Sequence, residues 1–580
     1  MYLRTIQRRN KNGTVTRYVQ LAHNHRRNGT TQAEVLLQLG REDRLDMDGL
    51  RRLVGSIGRY LHGAGTLPPG AGGPAEPLTV ESSRTLGTIW LLDGLWQRLG
   101  IAEALGTVVG GRRFTTAVER VLFALVANRA TEPMSKLSAT EWASADAAIP
   151  GLAGMDDDQA YRAMDLLVEA DAQATVQEAV FFTAAHLLNL EVDLLFFDTT
   201  STYFERDADD GDGGLRRFGH SKDHRGDLPQ IVIGLAVTRE GIPVRVWCWP
   251  GNTQDQTVIR QVKDDLRGWR LGRVVTVVDR GFSSDDNLAY LTRAGGHYIA
   301  GERLRDGAAD VVAVLARQGR YQRVRDNLRV KEVRIGQGDA ARRFVLCHNP
   351  DQAERDKIAR AEQLAAITAE LDRIGTLRAK AAKAAKAAKA AKAAAGRGGS
   401  AKRGRPSTAD DHLKAECALR DHPSLGRWLR QTPGGRLVID RAKVAAEAKL
   451  DGKFLLSTSD PDLSAEDVAL GYKNLLEAER AFRDLKTTLE LRPIWHRLER
   501  RIRAHVLLCW LALLLVRVAE RQTGQTWRQL NRELGRLHLV TLAGAAGRVE
   551  QTTALTSAQR AVFTATHVTP PPPVTTLQPA

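Results

Sequence analysis

Residues 472–486 read YKNLLEAERAFRDLK and set Tyr472, Glu479 and Lys486 seven residues apart. Seven residues of an α-helix turn through about 700°, close to two full turns, so one helix here carries all three on one face. Leu475, Leu476, Phe482 and Arg483 fall on or near that stripe, and Arg480 adjoins Glu479. A carboxylate between an aromatic ring and a cation suits work on a phosphodiester. The carboxylate can hold a metal ion, the cation a phosphate, and the ring can stack on a base. The same spacing also describes a heptad packing stripe, and this segment by itself does not separate the two readings.

Two earlier segments add carboxylates. In EVDLLFFDTTSTYFE the apolar run 194–197 is long enough for a buried strand, and Asp198 follows it. In RVVTVVDRGFSSDD residues 274–278 are β-branched at every position, which favours a central strand buried on both faces, and Asp279 ends the run. Functional groups of open α/β sheets cluster at the carboxyl ends of strands, so two strands finishing on Asp are expected to bring two carboxylates together. Such carboxylates repel unless a cation neutralises them, and hard oxygen donors suit Mg²⁺ or Mn²⁺. A single Asp after a strand is as well explained as a turn or helix-capping residue; two of them followed by the Glu479 segment are not.

These residues need a scaffold. Asn12-Gly13 and Asn28-Gly29 are hairpin turns that divide the start into strands over 2–9, 14–22 and 31–39. Leu50, Leu53, Val54, Ile57 and Leu61 mark a helix, completing a basic β-meander-plus-helix region over 1–62. A Gly/Pro linker occupies 63–82, and a helical region, suited to gripping DNA ends or to scaffolding, follows over 83–190. Residues 230–238 and 243–249 read as a hairpin across Glu240-Gly241. Strands over 274–279 and 297–300 flank a helix over 285–294. The stretch from Asp279 to Glu479 is far longer than that from Asp198 to Asp279, so an insertion is expected over 304–467, with strands at 343–348, 436–440 and 453–458 and a charged helix at 351–374. Inside it, 378–405 holds ten Lys/Arg and no acid, built on repeated Ala-Ala-Lys. Lysines every third residue spiral around a helix and leave no apolar face to dock, so this stretch reads as a solvated spacer or a non-specific phosphate contact. Lys402–Pro406 (KRGRP) resembles an AT-hook core but is also ordinary linker composition. A C-terminal region spans 468–545, and the tail over 564–580 is expected to be disordered.

The net charge of +16 favours a polyanionic partner, and nucleic acid is the first candidate. Cys248, Cys347, Cys417 and Cys509 show no paired spacing for zinc or disulfides, which fits a reducing cytoplasm. The start lacks the apolar core of a signal peptide. The apolar run 506–516 is too short to cross a bilayer and suits a buried core helix, so no membrane is expected as a partner.

The ordered set resembles a DDE transposase of a bacterial insertion sequence, in the hairpin-forming cut-and-paste group with the signature Y-x-x-R-x-x-x-E-x-x-x-x-x-x-K. Tyr472, Glu479 and Lys486 fall on that signature, and Asp198 and Asp279 on the family's two aspartates. Segments 220–255 and 489–505 share the likeness, which runs from residue 1 to about 538. The signature Arg is Leu475 here, so that contact is missing or comes from Arg480 or Arg483. The resemblance implies an α/β fold: a ribonuclease-H-like catalytic core in halves 191–303 and 468–545, interrupted by the insertion and preceded by the meander and helical domains. It implies Asp198, Asp279 and Glu479 as catalytic residues and ligands of two Mg²⁺ or Mn²⁺ ions. Tyr472, Arg480, Arg483 and Lys486 would contact DNA. It further implies double-stranded DNA partners, the terminal inverted repeats and the target, bound by a homodimer in the cytoplasm at the nucleoid. A metal-dependent nuclease without strand transfer and a domesticated, non-catalytic DNA-binding protein are the alternatives; the three intact carboxylates argue against the second of these.

Overall fold

The computed structural model describes residues 2–9, 15–27, 30–62, 78–109, 117–169, 172–190, 192–269, 271, 273–305, 307–338, 341–394 and 411–579. The Asn12-Gly13 and Asn28-Gly29 turns, the linker over 63–77 and the Lys402–Pro406 motif lie outside the described residues. The chain divides into two compact units: Met1–Val274 with Asn474–Ala580, and Val275–Lys473.

In the first unit, strands Tyr2–Arg9, Val15–Arg27 and Thr30–Arg41 form an antiparallel sheet. The second and third strands run longer than the turn signals suggest. Helix Met47–His62 follows. Helix Glu499–Thr523 is long and apolar enough to cross a membrane by composition alone, but it is buried from Ala504 to Val516 and packs against helices Val118–Thr131 and Asp157–Glu169. It is the core helix expected from the 506–516 run. Strand Thr79–Thr85, placed by sequence partly in the linker, pairs with His538–Gly544.

The expectation of a disordered tail does not hold. Strand Val574–Pro579 pairs with Gly547–Thr552, Val568 is buried, and the Trp90 indole N–H donates to the Thr569 carbonyl at 2.8 Å. The Pro570–Pro573 run bridges a buried anchor to an edge strand, where proline costs no ladder hydrogen bond on its open side.

The antiparallel strands Leu194–Tyr203, Gln230–Thr238 and Pro243–Pro250 lie side by side. Every residue of Gln230–Thr238 is buried. Gly234 is required there because a Cβ would run into the Trp249 indole. Gly241 turns the hairpin at φ 77°, a left-handed conformation that favours glycine.

In the second unit, Val275–Val278 and His297–Glu302 pair in parallel and are joined through helix Asp285–Thr292, a βαβ crossover. The segment expected as an insertion continues that sheet. Lys453–Thr458 pairs antiparallel with His297–Glu302, followed by Arg342–His348, Leu328–Ile335 and Gln322–Arg325. The charged helix and the Ala/Lys tract form one 45-residue helix, Pro350–Ala394. Its first part does dock: Ile367 and Ile374 pack with Leu419, Trp428 and Leu429. Docking reaches Ala381, and residues 382–391 are exposed.

Candidate active site

Asp198 lies within strand Leu194–Tyr203 rather than at its end, correcting the sequence expectation. The run Thr199–Thr202 after it is fully buried, and β-branched threonines continue a strand as readily as valines while offering hydroxyls. Asp198 Oδ1 accepts from the Thr199 amide at 2.7 Å. Thr199 Oγ1 donates to Asp255 Oδ1 at 2.5 Å. Lys222 Nζ closes the cluster. It donates to the Thr199 carbonyl at 2.8 Å and to Thr199 Oγ1 at 2.6 Å, and lies 3.1 Å from Asp255 Oδ2 and 4.0 Å from Asp198 Oδ1. One ammonium thus serves two carboxylates.

The sequence expectation of one helix through Tyr472, Glu479 and Lys486 does not hold. Helix Ala465–Lys473 ends before Asn474–Leu475, and a second helix spans Leu476–Thr487. Tyr472 therefore belongs to a different helix from Glu479 and Lys486. The second helix buries Ala478, Ala481, Phe482 and Leu485, and leaves Glu479, Arg480 and Arg483 exposed. Leu475, at the signature Arg position, is itself buried.

Arg480 pairs with Glu477 at 2.6 Å, and Arg483 lines a cleft with Arg480, Asp484 and Arg517. Lys486 meets Asp223 at 2.9 Å, and Arg492 meets the other Asp223 oxygen at 2.7 Å. Burial lowers the Lys486 pKa, and the Asp223 carboxylate opposes that shift.

In the second unit Asp279 directly follows strand Val275–Val278, as expected. The Tyr472 hydroxyl donates to Asp279 Oδ1 at 2.8 Å, and the Tyr472 ring lies against that of Phe454. Asp279 lines a cleft with Arg280, Gly281, Arg303, Leu304 and Arg305. A carboxylate at the head of an arginine-lined cleft suits a phosphodiester.

Sequence reasoning missed Lys222, Asp223, Asp255 and Arg492. They sit in the segments 220–255 and 489–505 that carried the resemblance, but no local period ties them to Asp198 or Lys486. Among the described residues, no group of three or more His, Cys, Asp and Glu side chains is gathered to hold a metal ion. The donor chemistry of Asp198, Asp279 and Glu479 nevertheless fits hard divalent cations.

Residues 3–64 match the N-terminal domain of IS1634 family transposases, and residues 197–516 match the transposase DDE domain. No curated protein gives a significant match. The cryo-EM structure of a piggyBac transposase synaptic complex with hairpin DNA overlaps the chain at a TM-score of 0.32 and 11% identity, over 77% of this chain and 78% of that one. The DDE match spans more than half of the chain and encloses Asp198, Asp279, Tyr472, Glu479 and Lys486. The chain belongs to the DDE transposases of insertion sequences, and it is a DNA transposase.

Proposed function

We propose that the chain moves its element by cut-and-paste transposition, with Asp198, Asp279 and Glu479 as the catalytic carboxylates of a ribonuclease-H-like core. The observation that carries this reading is the order of the three within the DDE match, on a strand, at a strand end and on an exposed helix face. These residues would hold two Mg²⁺ or Mn²⁺ ions. When bound, the ions supply activation of a water or 3′-hydroxyl and stabilisation of the leaving 3′-oxygen. Tyr472 keeps the Asp279 carboxylate in one orientation through its hydroxyl. Lys486 and Arg492 offer cations to the phosphate backbone, and Arg280, Arg303 and Arg305 do the same beside Asp279. The DNA partners are the terminal inverted repeats and the target duplex. Holding two ends together calls for a homodimer on DNA, acting in the cytoplasm at the nucleoid.

The test is a set of isosteric changes. Asp198→Asn, Asp279→Asn and Glu479→Gln each abolish cleavage of a terminal-repeat duplex in Mg²⁺ or Mn²⁺ while sparing its binding in a gel shift. Binding survives because most DNA affinity comes from Lys/Arg contacts to phosphates. Robust cleavage by any of the three removes that residue from the site. Cleavage without joined products by the parent protein would favour a nuclease lacking strand transfer.

A further inference from the structure

Residues 204–229 form a long irregular connection between two strands that are antiparallel neighbours, Leu194–Tyr203 and Gln230–Thr238. Such neighbours need only a short turn, and longer loops of this kind are usually functional. This one is tightly organised. Asp210 holds Arg216 at 2.7 Å, and Arg217 exchanges backbone hydrogen bonds with Gln230. Ser221 Oγ accepts from the Arg225 amide at 3.1 Å, and His224 adopts φ 58°, a conformation uncommon for a residue with a side chain. At the apex of that turn sit Lys222 and Asp223.

The two consecutive side chains serve opposite elements. The Lys222 amide donates to Ser201 Oγ at 2.9 Å, and its ammonium holds Thr199 and Asp255 beside Asp198. Asp223 turns the other way, to Lys486 on the Glu479 helix and to Arg492 beyond it. The Asp223 and Lys486 side chains are each only 13% exposed, so this pair is screened far less than a surface bridge. The guanidinium groups of Arg492 and Arg225 both lie over the Tyr203 ring, at 5.7 and 5.0 Å, fixing the end of the same strand.

We propose that Lys222 and Asp223 form a two-sided charge clasp that sets the Asp198 strand and the Glu479 helix in register, and that both are positioning residues for DNA cleavage. The clasp rests on the reading of Asp198, Glu479 and Lys486 as site residues. Asp223 has a second effect: it neutralises Lys486 and Arg492 until a phosphate competes for them. Removing its charge therefore frees cations for DNA while loosening the geometry that cleavage needs.

The experiment compares Asp223→Asn, Asp223→Glu, Lys222→Met, Lys486→Met and the Asp223→Asn/Lys486→Met double variant with the parent protein. The readouts are cleavage of a terminal-repeat duplex, binding of a random duplex across a salt series, and thermal melting. Asp223→Asn lowers cleavage about a hundredfold, the scale of a reacting group displaced by about 1 Å. Its random-duplex binding is held or tightened, and the salt slope steepens by about one as a cation is released to DNA. Asp223→Glu restores part of the cleavage, and the double variant cleaves no more slowly than Lys486→Met. Lys222→Met loses cleavage with binding held. Cleavage of both Asp223→Asn and Lys222→Met within twofold of the parent, with Asp198→Asn inactive, overturns the clasp and leaves the catalytic reading standing. Losses of cleavage, binding and melting temperature in step overturn it too, because they mark a structural role. Cleavage by Asp198→Asn overturns the catalytic reading itself, and the clasp with it.

Discussion

The Tyr472 hydroxyl donates to Asp279 Oδ1 at 2.8 Å, joining two residues of the proposed site. Through this bond the tyrosine holds a half-buried carboxylate in one rotamer. Gly301 makes room for it, since a Cβ there would land on the Tyr472 hydroxyl. Tyr472→Phe keeps the ring against Phe454 and removes only the bond. A hydrogen bond to a charged group contributes about 1.5–3 kcal/mol, so cleavage is expected to fall by one to two orders of magnitude with DNA binding unchanged. Gly301→Ala displaces ring and hydroxyl together and is expected to lose more. Cleavage kinetics of the two variants decide it; a fully active Gly301→Ala would show that the bond is dispensable.

Leu475, which the resemblance sets opposite a signature Arg, is 7% exposed. It is the N-cap residue of a helix that buries Ala478, Ala481, Phe482 and Leu485. Leu475→Arg, which restores the signature, forces a long cation into that packing. The cost is on the order of 2–4 kcal/mol, from lost burial and a desolvated charge. The expected result is a lower melting temperature without a gain in cleavage. An unchanged melting temperature with faster cleavage would show that the position has room for the cation and lacks it.

Lys136 is 4% exposed and interacts electrostatically with Arg129, the Cys509 thiol, His496 and His505. Burial, reinforced by Arg129, pushes its pKa down from 10.5 to about 7. The unfolded chain keeps this proton up to about pH 10.5, whereas the folded protein releases it near pH 7, so the unfolded state binds more protons in that window. Stability therefore rises with pH from about 7 toward 10, as far as this group is concerned. Lys136→Met removes the penalty, on the order of a few kcal/mol, and stabilises most at or below neutral pH. Urea melts at two pH values, one near neutral and one near the upper end of the window, check it. An equal gain at both would exclude the charge as the cause.

The family is legible in the sequence from the order of its motifs, the architecture only in places. Asp279 ends a β-branched run whose burial on both faces leaves a strand as its natural state, and it sits where the pattern puts it. Asp198 falls inside its strand because apolar content alone ends that strand too early, whereas threonines extend one equally well. The seven-residue stripe from Tyr472 to Lys486 fits a single helix, yet the break at Asn474–Leu475 carries no proline or glycine to announce it. Lys222, Asp223 and Arg492 escape for another reason. Their partners are distant in sequence, and only the folded loop after Tyr203 brings them near. The tail is misjudged on composition: a proline run suggests disorder until the strand it leads to finds an open edge.

The Ala/Lys helix shows where a deletion should begin. Arg378 pairs with Glu416, and Ala381 is buried, so cutting from residue 376 would strip support from the helix Asp411–Arg420. Residues 382–391 are exposed, so their removal costs little core burial, and deleting 383–407 removes the cations Lys383, Lys386, Lys389, Lys392, Arg397, Lys402, Arg403 and Arg405. The shortened protein is expected to melt with the parent and to cleave a terminal-repeat duplex at saturating DNA. Its affinity for random duplex should fall, and its salt slope should flatten by about one for each phosphate that the tract neutralises in the parent. Preference for the terminal repeat should be kept, because contacts to phosphates position a protein without reading sequence. Binding of terminal-repeat and random duplexes across a salt series measures both quantities. Equal slopes for the two proteins would show that the tract does not touch DNA, while loss of terminal-repeat binding alone would make Lys402–Pro406 a reader of sequence.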